Sequence, residues 1–246
     1  MGSQRRRART IHGASVGILM LDAAFPRPPG DIGNAETWPF PVHYRVVRNA
    51  SAAEAVLADA DALKPAFIAA ARDLEADGVD GITTSCGFLS LFQDDLKAAV
   101  GIPVAASSLM QVPVIAATLP AGMRPGIFTI SAETLTPRHL AAAGAPADTP
   151  VFGVTPDGPF AGPILRNAPE MDFAAAARDL EASLTDALTA QPDLGAVVLE
   201  CTNMAPFADR LSAVSGLPVY SIYSFVTWFQ SGLRPRSFGQ TAARLD

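Results

Sequence analysis

Only two cysteines, two lysines and three histidines occur among 246 residues, and each scarcity removes a class of protein. Cys86 and Cys201 are too few for a disulfide scaffold, and a chain of this length needs none. His12, His43 and His139 lie far from both cysteines. No Cys-x-x-Cys or His-Glu-x-x-His spacing is present, so nothing in the sequence asks for a metal. Lys64 and Lys97 both fall in helical patterns, which argues against a pyridoxal phosphate Schiff base at a strand end. No Gly-x-Gly-x-x-Gly follows the first strand, so a dinucleotide has no cradle. We therefore expect no cofactor. Excess positive charge is absent too: the net charge is −6 and the pI about 5.0, which speaks against nucleic acid or an anionic membrane as partner. The one basic run, Arg5-Arg6-Arg7 with Arg9, reads as a solvated tail. The apolar run 16–21 is short and stopped by Asp22. With no signal-peptide pattern and no membrane-length run, a cytoplasmic protein is expected.

What the chain has in quantity is apolar residues, 49% of the total, enough for a large core in one domain or two small ones. Short apolar runs at 15–21, 42–47, 81–85, 103–106, 126–130, 196–199 and 219–221 suit strands covered on both faces. Helical patterns at 65–76, 89–99 and 173–188 lie between them. Alternation of this kind predicts an α/β fold with mostly parallel sheets.

The chain also repeats itself. Gly17-Ile18 opens a strand in the first half, as Gly126-Ile127 does in the second. Ala71-Arg72-Asp73-Leu74-Glu75-Ala76 recurs as Ala177-Arg178-Asp179-Leu180-Glu181-Ala182. Cys86 is followed 15 residues later by Gly101-Ile102-Pro103-Val104, and Cys201 at the same interval by Gly216-Leu217-Pro218-Val219. Alanine-rich helices match by chance, but three landmarks in one order indicate two related lobes, each with a cysteine at an equivalent place.

Those places are suited to chemistry. Each cysteine comes where a strand ends and a helical pattern begins, the position at which open α/β sheets bind ligands. A thiol there feels the positive end of the following helix, which favours thiolate. Ser85 and Gly87 flank one thiol; Thr202 and Asn203 follow the other. Their hydroxyls, amide and backbone N–H groups can receive a carboxylate. The competing view is that each cysteine is inert packing.

Ser85-Cys86-Gly87 in one half and Cys201-Thr202-Asn203 in the other resemble the aspartate/glutamate racemase superfamily, over most of the chain from Ser15 to Trp228. That group includes glutamate, aspartate and hydantoin racemases, arylmalonate decarboxylase and maleate isomerase. The resemblance implies two Rossmann-like lobes facing a cleft: residues 1–122 with Cys86, residues 123–220 with Cys201, and residues 221–246 returning to the first lobe. It also implies a homo-oligomer and a small carboxylate substrate, such as an amino acid or hydantoin-like derivative. One cysteine would act as thiolate base and the other as thiol acid, so that a stereocentre inverts without a cofactor. The carbanion would be held by the backbone at Gly87 and Phe88 with Thr202 and Asn203. Ser131 and Thr134, in Thr129-Ile130-Ser131-Ala132-Glu133-Thr134, could add a hydroxyl nest or could simply cap a helix.

Departures from the glutamate racemases are visible. Those enzymes carry Cys-Asn-Thr and Cys-Thr-His, where this chain has Cys86-Gly87-Phe88 and Cys201-Thr202-Asn203. The assisting histidine is missing, and Asp22, followed by Ala23, is a loose match to their Asp-Ser pair. Glutamate is therefore not the expected substrate. Arylmalonate decarboxylase has one cysteine, in its second lobe, while both positions are filled here. The proline-rich segment 25–41 starts at the active-site end of the first strand and reads as a lid or pocket wall, with Asn34 or Arg27 against substrate. Single-cysteine decarboxylation or cis–trans isomerisation is the alternative on this fold. A non-catalytic binding protein or a thiol–disulfide switch lies further off.

Overall fold

The computed structural model describes residues 10–237. The basic tail at Arg5–Arg9 and the end of the segment 221–246 lie outside the described residues. Val16-Gly17-Ile18-Leu19-Met20-Leu21 carries no polar side chain, and as β1 (Val16–Leu21) it is buried along its whole length. Its side chains alternate between two cores. Leu19 and Leu21 enter a cluster with Phe67 and Leu74, while Val16, Ile18 and Met20 meet Ile222, Phe225 and Val226. A strand covered on both faces needs such a run.

β1 pairs in parallel with β2 (Val42–Val47) and β3 (Gly81–Thr84), and β4 (Val104–Ala105) completes the order β2-β1-β3-β4. The helices of this half are α1 (Ala52–Leu57), α2 (Lys64–Asp77) and α3 (Gln93–Ala99), with α4 (Val112–Ala116) leading into the second half. Gly17 is where α2 crosses β1: a Cβ there would stand 2.9 Å from Leu74 Cδ1. The expected helix over 89–99 is divided. A tight 3-10 turn, Gly87–Phe92, precedes α3, because the chain must coil closely beside Cys86, with the Leu89 N–H bonded to the Cys86 carbonyl at 3.1 Å.

The second half repeats the plan. β5 (Arg124–Thr129), β6 (Val151–Gly153), β7 (Leu194–Leu199) and β8 (Val219–Tyr220) are all parallel, in the order β6-β5-β7-β8. Around them lie α5 (Pro137–Ala142), α6 (Ala161–Leu165), α7 (Phe173–Ala190) and α8 (Ala208–Ser215). The repeat in the sequence is thus a repeat of topology. β6 has no counterpart among the expected strands; three residues at a sheet edge make too short a pattern to recognise.

α9 (Ile222–Leu233) follows β8 and packs on the free face of the first sheet, through the Ile222, Phe225 and Val226 cluster. Gln230 Nε2 donates to Ser15 Oγ at 3.3 Å, and Arg234 pairs with Asp80 at 2.9 Å. One apolar cluster runs through both halves, joining Leu19, Phe67 and Leu89 to Phe128, Leu180 and Val198. Among the described residues no helix is long and apolar enough to cross a membrane.

Candidate active site

Strands β3 and β7 end in the same way. After the last strand residue comes one buried polar residue, Ser85 or Glu200, and then a cysteine that precedes a 3-10 turn, Gly87–Phe92 or Thr202–Phe207. Because the strands are parallel and the halves face each other, both cysteines arrive at one small cavity. Leu21, Phe25, Arg27, Phe88, Ile130 and Glu200 share its wall with them. Both thiols are free and nearly inaccessible to solvent.

The two halves are pinned together at this level. Thr202 Oγ1 donates to the Ser85 carbonyl at 2.7 Å, and Ser108 Oγ donates to the Leu199 carbonyl at 2.7 Å. Ser85 Oγ accepts from the Leu21 N–H at 2.9 Å, fixing the end of β1 to β3. The Ser85 and Thr202 hydroxyls are therefore engaged in holding the walls, although both residues line the cavity.

Charge around the sulfurs is less favourable to thiolate than a helix start alone suggests. Burial pushes Cys86 up to about 12, with the Glu200 carboxylate adding to the rise; the Phe88 and Leu89 N–H groups and the Arg27 charge pull it back only in part. Cys201 is pushed well above the ordinary thiol range by burial, then by Glu200, Cys86 and Asp31, against one favourable N–H from Asn203. Desolvation of the charged form outweighs the turn N–H groups at both positions. The expectation of helix-favoured thiolates is corrected accordingly: the N–H groups are there, but they do not win.

Glu200 is the residue that inspection of the sequence passed over. It is fully buried and lines the cavity beside both thiols. Thr129 Oγ1 donates to its Oε2 at 2.7 Å, while Oε1 has no full hydrogen-bond partner. Burial pushes its carboxyl up to about 7, opposed by Thr129 and the N–H groups of Phe88 and Ile130. Gly87 has to be glycine here, since a Cβ would collide with Glu200 Oε1 and the Glu200 carbonyl. The one signal in the sequence is a carboxylate between an apolar strand and a cysteine, Val197-Val198-Leu199-Glu200-Cys201; its burial comes from the facing half.

The segment 25–41 forms a strap beside the cavity, giving Phe25 and Arg27 to its wall. Arg27 Nη1 pairs with Asp31 Oδ1 at 2.8 Å and its guanidinium sits 4.5 Å from the Phe25 ring centre. Asp31 Oδ2 accepts from Asn203 Nδ2 at 2.6 Å, and Cys201 Sγ points to Asn203 Oδ1 at 3.7 Å, so the strap is tied to the residue beside the second thiol. Gly30, at φ +98°, lies so close to Pro206 that a Cβ would stand 2.9 Å from its Cα. Further along, Trp38 stacks on Tyr223 of α9 with centroids 5.8 Å apart. The cavity left beneath is about 20 Å³, room for about one water. A cleft with space for a small substrate is expected between the thiols; the cavity they share is far smaller, with Phe25, Arg27, Val56, Ile130 and Ile164 among the residues of its wall.

Of the remaining candidates, Gly87, Phe88 and Asn203 line the cavity. Asn34 does not: its Oδ1 caps the 3-10 turn Ala35–Thr37 and its Nδ2 donates to the Arg27 carbonyl at 2.8 Å. Ser131 and Thr134 bond to each other at 2.8 Å, the local capping arrangement, and neither reaches the cavity. Asp22 accepts from Arg48 and from the Asn49 N–H, steadying the turn after β2. Short polar side chains have backbone groups and neighbours of their own turn to satisfy, and for Asn34, Ser131 and Thr134 the local partner has won. Among the described residues no group of three or more His, Cys, Asp or Glu side chains is placed to hold a metal ion.

Comparison with known proteins agrees with this architecture. The chain is 27% identical over 231 residues to a dimethylsulfoniopropionate lyase of Durusdinium sp. clade D, covering 90% of this chain and 76% of that protein. It is 30% identical over 231 residues to dimethylsulfoniopropionate lyase 7 of Emiliania huxleyi (strain CCMP1516), covering 89% and 67%. Its fold is similar to that of unliganded arylmalonate decarboxylase, with a TM-score of 0.57 at 16% identity over 89% of this chain and 92% of the other. Glutamate racemase from Campylobacter jejuni subsp. jejuni gives 0.56 at 16% identity, covering 91% and 88%. The Asp/Glu/hydantoin racemase family model matches residues 41–228, and to that family of enzymes the chain belongs.

Proposed function

We propose that this protein uses Cys86 and Cys201 to remove and replace the proton beside the carboxylate of a small acid, without a cofactor, and so racemises or epimerises it. The observation that carries the reading is the convergence of two thiols, from equivalent strand ends of two similar halves, on one cavity. Inversion needs a proton taken from one face and another given to the opposite face, which two thiols at one cavity would supply. Cys86 has the better claim to be the thiolate, since the Phe88 and Leu89 N–H groups and Arg27 favour its charge. Cys201, with anions around it, is the better thiol and would donate. Arg27, the cation of the cavity wall, and the backbone at Gly87 and Phe88 are the groups to receive the substrate carboxylate and its developing charge. Substrate would enter by release of the strap at Asp31 and Asn203.

A second reading rests on the sequence relatives. If the carbon next to the deprotonated one bears a leaving group, the same carbanion collapses by β-elimination. On dimethylsulfoniopropionate one thiolate would take the α-proton, the Cβ–S pair would leave with dimethyl sulfide, and acrylate would remain. The relatives of 27–30% identity carry the name of that activity. Incubation in D₂O with D- and L-aspartate, D- and L-glutamate and dimethylsulfoniopropionate, followed by NMR, separates the two. Deuterium in an inverted amino acid supports racemisation; acrylate with dimethyl sulfide moves the assignment to the lyase; no exchange into any of these acids would count against α-proton chemistry.

A further inference from the structure

We infer that Glu200 is the internal proton carrier of this site, taking the proton from one cysteine and passing it to the other so that the pair returns to its starting state. The inference rests on the proposed two-thiol chemistry and adds to it a group that neither cysteine can replace. After one inversion Cys86 holds a proton and Cys201 is a thiolate, the reverse of the starting arrangement. The proton can leave the Cys86 sulfur for a Glu200 oxygen and then leave that oxygen for the Cys201 sulfur, with no electron transfer and no other reagent. After β-elimination the first of those steps alone restores the Cys86 thiolate.

Geometry places Glu200 for the task. It directly precedes Cys201 in the chain, and its carboxylate presses against Gly87, the neighbour of Cys86. Thr129 fixes Oε2 at 2.7 Å, while Oε1, fully buried, has no full hydrogen-bond partner and so keeps a lone pair for a proton. The ionisable groups that share the cavity wall with it are Cys86 from the end of β3, Cys201 from the end of β7, and Arg27 from the strap, while Asp31 acts on Cys201. Both thiols respond to its charge, which raises each of them. With Glu200 at about 7 and Cys86 at about 12, release of its proton to a Cys201 thiolate is the downhill step and taking one from Cys86 the uphill step of the relay. At the corresponding place the first half has Ser85, which is bonded to the Leu21 N–H and cannot serve.

The test sets Glu200→Gln beside the parent enzyme from pH 5 to 9, with two readouts. The first is alkylation of each cysteine by iodoacetamide, resolved by mass spectrometry, which needs no substrate. Above pH 7 the parent carries the Glu200 charge and the variant does not. Both thiols of the variant should alkylate about tenfold faster at pH 8, the effect of about one pKa unit, and at the parent's rate at pH 5. The second is α-proton exchange in D₂O on the five acids above, which should fall about a hundredfold in the variant and lose its acidic limb near pH 7. A purely structural role would not raise alkylation while lowering exchange. Equal alkylation profiles, or exchange that rises together with alkylation, would overturn the inference. Should Glu200→Gln fail to fold, Thr129→Val removes the hydroxyl that lowers Glu200, and the acidic limb should move up by about one pH unit; an unmoved limb overturns it equally. If the parent exchanges none of these acids, the proposed function falls, while the alkylation readout still judges whether Glu200 controls the thiols.

Discussion

The ends of β3 and β7 share one backbone device and differ in their electrostatics. Each strand stops, leaves one buried polar residue, and presents a cysteine before a 3-10 turn. At the first, the buried residue is Ser85, neutral and bonded to β1, and the thiol meets two N–H groups and the charge of Arg27. At the second it is Glu200, and the thiol meets Glu200 and Asp31 with one N–H in its favour. An inherited repeat thus supplies two thiols at matching places, and a few substitutions around them make one the easier to ionise. The proposed two-base chemistry would gain from that asymmetry, because one thiolate and one thiol must be present together at the start of a turnover.

The largest expected effect comes from removing either partner. Cys86→Ala and Cys201→Ala should each cut racemisation by about a thousandfold or more, the scale of losing a positioned acid or base, as followed by optical rotation or chiral chromatography. Retention of most activity by one variant would break the comparison and favour single-cysteine chemistry.

The next effect is on stability. Glu200 is raised from 4.5 to about 7 in the fold, so the folded state holds its proton more tightly than the unfolded chain. Stability from this group is full below about pH 4.5 and is lost as pH rises through about 7. Glu200→Gln should therefore stabilise the protein by about 3 kcal/mol at pH 8 and by about 1 kcal/mol or less at pH 5, as read from urea unfolding. A gain that is the same at both pH values would show that the carboxyl is not held protonated by burial.

A smaller effect sharpens the asymmetry itself. Between pH 8 and 9, Cys86 should alkylate several-fold before Cys201, because only Cys86 has Arg27 in its favour. The reverse order would exchange the roles of base and acid. Smallest of all, Asp22→Asn should change stability by no more than about 0.5 kcal/mol and leave exchange unaltered, since its pairing with Arg48 is exposed.

Much of the fold can be read in advance where a pattern is long and one-sided. β1 and β7 are uninterrupted apolar runs, and α2 and α7 are well-marked helices whose ends fall within two residues of expectation. β6 escapes because three edge residues carry almost no pattern, and the 3-10 turn before α3 escapes because the geometry at Cys86, not propensity, decides it. The cysteines stand out through the repeat. Glu200 does not, since a carboxylate after a strand ordinarily points to water, and only the facing half of the molecule buries it. Asn34, Ser131, Thr134 and Asp22 show the converse: their polarity marks them as candidates, but the first three hold their own segments and Asp22 holds the turn after β2.

The central claim, that two thiols address opposite faces of one carbon, is tested most directly by the exchange that survives in the single variants. In D₂O, Cys86→Ala retains only the thiol on one face and Cys201→Ala only the thiol on the other. Followed by NMR on the separated enantiomers of the accepted acid, the two variants should wash deuterium into opposite enantiomers. Exchange of the same enantiomer by both variants, or undiminished turnover by either, would contradict the account.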